Sequence, residues 1–111
     1  MKLALSALAA ALTLASPATF AGDAGTTAIE ALGKVNGIAL ACQQPAIASR
    51  ARNALVTTAP KTRANGETFE NATNAAYLEQ GKGAACPDAA TLAQLVDAAE
   101  KWLHSAFKGA R

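Results

Sequence analysis

Between Asp88 and Phe107 the apolar side chains return every three or four positions. Leu92, Leu95, Val96, Ala99, Trp102, Leu103, Ala106 and Phe107 fall in one stripe about 140° wide at 100° per residue. Gln94, Asp97, Glu100, Lys101, His104 and Lys108 take the opposite side. A helix over about 88–107 hides such a stripe only against other elements. Nothing else in the chain shows the period-two alternation or β-branched enrichment of a strand. Its packing partners are therefore expected to be helices, and the fold class all-α.

Three further helices follow from the same logic. Thr27 and Glu30 have capping-box spacing, and Ile29, Leu32, Val35, Ala39 and Cys42 then recur at helical intervals, which predicts a helix over about 27–43. Gly33 and Gly37 weaken it by ~1 kcal/mol each relative to Ala. With Ala41 they form a small-residue strip that lets another backbone approach closely. Asn36 falls near the buried stripe, where its amide needs partners. Pro45 suits the first turn of a second helix, about 45–58, with Ile47, Ala51, Ala54, Leu55 and Thr58 on one face. Asn65 is the expected cap of a third, about 66–80, with Glu67 and Glu70 in its first turn and Phe69, Ala72, Thr73, Ala76 and Tyr77 facing inward. Leu78 points outward, and Gly81-Lys82-Gly83 stops the helix. Short joints between four helices predict a small up-and-down bundle.

The N-terminus reads as an address. Met1-Lys2, the apolar run Leu3–Leu14 and the small-residue exit Ser16-Pro17-Ala18-Thr19-Phe20-Ala21 are the three parts of a secretory signal peptide, expected over residues 1–21. Cleavage after Ala21 is favoured over cleavage after Ala18. The apolar run is too short to span a bilayer, which takes ~20 residues. A single all-helical domain, 22–111, is then expected in the periplasm or outside the cell, with no stable membrane anchor. Both cysteines lie in that domain. In an exported chain of this size they read as a disulfide, and only Cys42–Cys86 is available. Closing a loop of roughly 45 residues contributes about 4 kcal/mol on the chain-entropy model, comparable with the net stability of a small domain.

Chemistry is sparse. One His and two Cys cannot complete a four-ligand zinc site from nitrogen and sulfur alone. The mature part has two serines, Ser49 and Ser105, and one histidine, His104. His104 and Ser105 are helix neighbours about 100° apart and do not face each other. Glu100 and His104 share a helix face at a spacing that surface pairing explains as well as metal ligation. The Asn71-Ala72-Thr73 sequon matters only in a glycosylating host. No catalytic residue, cofactor or metal is expected.

Charge is distributed unevenly. Residues 50–63 carry Arg50, Arg52, Lys61 and Arg63 with no acid, whereas residues 64–100 carry six carboxylates against Lys82 alone. Two outcomes fit: a basic end that steers an anionic partner, or a solvated loop with pairing between the two halves inside the fold. Overall charge is too small for a nucleic-acid binder. In size, leader and cysteines the layout is similar to that of small exported helical proteins with one disulfide, a group that includes acid-stress chaperones and inhibitor or immunity proteins. The expectation is a non-enzymatic exported protein that binds another protein, with Arg50, Arg52, Lys61 and Arg63 as the candidate surface. A periplasmic stress chaperone is the alternative. A small hydrolase or metal carrier is disfavoured by its missing side chains.

Overall fold

The computed structural model describes residues 20–108, with side chains from residue 24 onward. Four helices follow in order: α1 Phe20–Ala41, α2 Pro45–Thr58, α3 Arg63–Gly81 and α4 Ala89–Ala106. Among the described residues there is no strand, and no helix is long and apolar enough to cross a membrane. The expected leader lies outside the described residues apart from Phe20 and Ala21, which open α1.

Two helix starts differ from expectation. α1 is already helical seven residues before Thr27, so Thr27 and Glu30 sit inside it and do not mark its start. Ala21, Ala24 and Ala28 favour helix while Gly22 and Gly25 oppose it, and packing of the Phe107 ring against Gly25 supports this added stretch. α3 starts at Arg63, with Thr62 as its cap: the Thr62 hydroxyl accepts from the Asn65 backbone N–H at 3.1 Å. Asn65 instead turns its amide back to donate to the Pro60 carbonyl at 2.9 Å. Both residues are capping types three apart, and the extended backbone at Thr62 decides between them. Glu67 and Glu70 consequently fall beyond the first turn.

The joint between α1 and α2 is a Schellman motif. Gln44 N–H bonds to the Ala39 carbonyl at 2.8 Å and Gln43 N–H to the Leu40 carbonyl at 3.3 Å. Gln43 holds the left-handed position at φ 60°, where glycine is usual. The turn reverses the chain within three residues and leads straight into Pro45 at the first turn of α2. At the other end of the sequence Asp88 caps α4, accepting from Thr91 N–H at 2.8 Å. That bond holds the Asp88 carboxyl below the ordinary carboxylate range. A depressed folded-state value means the cap stabilises above the unfolded pKa near 3.9 and is lost as pH falls through the folded value. Thermal melts of wild type and Asp88→Ala are therefore expected to separate at neutral pH, with wild type higher, and to converge in acid.

Helix directions alternate. Gly33 and Gly37 of α1 face Phe69 and Thr73 of α3 in the same order, so these two helices run parallel. The Cys42–Cys86 disulfide, with Cα atoms 5.8 Å apart, ties the end of α1 to the entry of α4. At the opposite end the Phe107 ring rests on Gly25. The bundle is nevertheless not square. At the backbone level α1 packs on all three other helices and α2 packs on α4, whereas α3 packs on α1 alone. In a square up-and-down bundle the parallel helices α1 and α3 would stand on a diagonal. Here the glycines draw them into contact: a Cβ on Gly33 would lie 2.7 Å from the Phe69 carbonyl oxygen, and one on Gly37 would collide with the Thr73 carbonyl.

The core joins Ile29, Leu32 and Val35 of α1, Ala51 and Ala54 of α2, Phe69 of α3, and Leu92, Val96 and Leu103 of α4. Ile47 and Leu55 pack against it half-buried. Asn36 is fully buried, as its place on the stripe required it to be partnered, and its Nδ2 donates to Thr73 Oγ1 at 3.1 Å. Thr73 in turn donates to the Gly33 carbonyl at 3.2 Å.

Candidate functional site

α4 carries two rows of side chains at four-three spacing, one residue out of step. Leu92, Val96, Ala99 and Leu103 form the buried row. Thr91, Leu95, Ala98, Trp102 and Ser105 form the second row, and all five are exposed. At 100° per residue the second row lies roughly 100° around the helix from the first. It is on the flank away from Asp97 and Glu100, the residues that meet α2. Leu95 is 40% and Trp102 44% exposed, which corrects their expected place in the core. The apolar stripe is wider than α1 and α2 can cover, and α3, the helix that a square bundle would set against it, packs on α1 instead. Tyr77 is displaced for the same reason: it is 49% exposed, while Leu78 is outward as expected.

The basic segment divides. Arg50 forks onto Glu100, with Nε 2.9 Å from Oε2 and Nη2 2.8 Å from Oε1, and reaches Asp97 Oδ1 at 3.3 Å. Chiefly through its hydrogen bonds to the Glu100 carboxylate, the Arg50 guanidinium is held above its ordinary pKa. Arg52 pairs with Glu70 at 3.2 Å and lies 5.4 Å from the centre of the Phe69 ring. Two of the four charges are thus spent joining the basic and acidic stretches, α2 to α4 and α2 to α3. Lys61 and Arg63 stay exposed at the corner between α2 and α3.

An open groove of about 500 Å³ between α2 and α4 collects Ser49, Arg50, Asn53, Glu100 and His104. Its carboxylate is committed to Arg50, so Glu100 and His104 do not stand as a spare ligand pair. Among the described residues no group of three or more His, Cys, Asp or Glu side chains could hold a metal ion. A second open groove, about 610 Å³, runs between α1 and α3 past Glu30, Lys34, Asn71, Ala75 and Glu79.

No protein-family model, no curated protein and no solved structure matches the chain. The exposed row was present in the sequence as four-three spacing, but it merged with the buried row into one wide stripe. The signal that separates them is the width itself, since 140° exceeds the narrower seam that one helix-to-helix contact fills.

Proposed function

We propose that the protein is a non-enzymatic binding protein of an extracytoplasmic, oxidising compartment, and that it takes another protein by seating an amphipathic helix of that partner on the α4 row Thr91–Ser105. One observation carries this: the only Trp of the chain stands exposed one heptad from an exposed Leu, on a rigid helix, within a row whose spacing matches a helical partner. Tryptophan is among the residues that most often dominate the energy of protein interfaces. Thr91, Ala98 and Ser105 between and beyond the two large side chains leave room for close approach. The Cys42–Cys86 bond fits an oxidising compartment, and the expected leader over 1–21 supplies the route. Lys61 and Arg63 add a steering charge at the α2–α3 corner for a partner with acidic flanks.

The test begins with affinity capture from extracytoplasmic extract on the mature, oxidised protein, followed by titration of the captured partner. Trp102→Ala is expected to weaken its affinity at least 30-fold, the equivalent of a ~2 kcal/mol hot spot. Wild-type Trp102 fluorescence should shift to the blue on binding. Neutralising Lys61 and Arg63 together should slow association and flatten its dependence on salt, with little effect on melting. A partner that binds Trp102→Ala as tightly as wild type removes the α4 row from the interface.

A further inference from the structure

We infer that α3 is an independently opening flap: it leaves α1 while α1, α2 and α4 remain packed, and it uncovers the Gly33–Gly37 face of α1 together with the Phe69 ring. The three other helices form a closed triangle of mutual contacts that does not include α3. Their mutual packing and the disulfide do not pass through α3, although Phe69 leaves the core with it. α3 gives that core one large side chain, Phe69, and no other. Phe69 is its one large side chain buried completely, and Tyr77 and Leu78 face solvent.

The seam beneath α3 is the most extensive helix contact of the bundle, and at its centre stand glycines and polar groups instead of large apolar side chains. Two glycines let the backbones touch, and at the centre sits the chain Asn36 to Thr73 to Gly33. That chain is incomplete. Asn36 Oδ1 is buried and has no hydrogen-bond partner among the described residues, which penalises the closed state and is relieved when water enters. An open groove already runs along one flank of the seam. On the other flank the brace is an ion pair, Arg52 with Glu70, both more than half exposed and so weakly held.

The tethers suit the motion. Pro60, Lys61 and Thr62 are exposed at one end. At the other, Gln80 Nε2 donates to the Ala84 and Ala85 carbonyls at 3.0 Å, so those residues travel with α3 as far as Cys86. Cys86 is bonded to Cys42 and holds the entry of α4 against α1 while α3 moves. Elements with few buried apolar contacts open below the global unfolding free energy, and amide exchange resolves them.

The experiment is hydrogen exchange read by mass spectrometry on the mature, oxidised protein, with Gly37→Ala as the variant. In wild type the amides of residues 67–80 should show at least tenfold lower protection than those of 93–103. Gly37→Ala sets a methyl against the Thr73 carbonyl and Ala76, yet favours helix within α1 itself. Exchange in α3 is expected to rise a further tenfold or more, with α4 unchanged. Equal protection of α3 and α4 in wild type overturns the inference without any variant. So does a Gly37→Ala protein in which all four helices accelerate together or none does.

Discussion

Cys42→Ser and Cys86→Ser are each expected to lower the unfolding free energy by roughly 2–5 kcal/mol, a large part of what a domain this small possesses. The bond joins residues 44 apart in sequence and, in space, the end of α1 to the entry of α4. Without it the unfolded chain regains the freedom of a loop that contains both α2 and α3. Cys86 is exposed and Cys42 half-buried, so serine at either position opens no cavity. The loss measures the cross-link and not the packing of sulfur. For that reason the double mutant should be no less stable than either single one, and reduced wild type should unfold at the same urea concentration as both. Two serine substitutions whose costs add, or a double mutant as stable as oxidised wild type, would show that the bond is not what holds these helix ends.

How far the sequence discloses this arrangement depends on which residues carry the information. α2 and α4 are bounded by residues with one strong role each, Pro45 at a first turn and Asp88 as a cap, and their limits agree with the sequence to within a residue or two. The start of α3 was ambiguous because Thr62 and Asn65 are both good caps, and only the backbone leaving Pro60 separates them. The start of α1 is not legible because a capping pattern within a helix looks the same as one at its end. The deeper gap concerns arrangement. Gly33 and Gly37 signal a close approach, and the structure has one, but spacing does not say which helix approaches. Once α3 occupies that seam, no other described helix covers the far flank of the α4 stripe. Trp102, Leu95 and Tyr77 are exposed as a consequence of two glycines on a different helix. The pairing of Arg50 and Arg52 with acids on α4 and α3 was one of the two outcomes that the charge distribution allowed.

Adjacent residues on α4 should then differ widely in what truncation costs. Leu103 is fully buried in the buried row and packed in the core cluster. Leu103→Ala removes its transfer free energy and leaves a cavity, at an expected cost of about 2–5 kcal/mol. A core this rich in alanine has few large side chains able to move into the space, which favours the upper part of that range. Trp102 is the larger residue, and a buried Trp truncated to Ala costs about 3–5 kcal/mol. With nearly half its surface in water, Trp102 gains much less on folding, and Trp102→Ala is expected to be clearly the milder change in chemical denaturation. The ordering by burial reverses the ordering by size, so one pair of urea titrations distinguishes the two rows of α4. A Trp102→Ala protein as unstable as Leu103→Ala would return Trp102 to the core, and with it would go the exposed row on which the proposed interface rests.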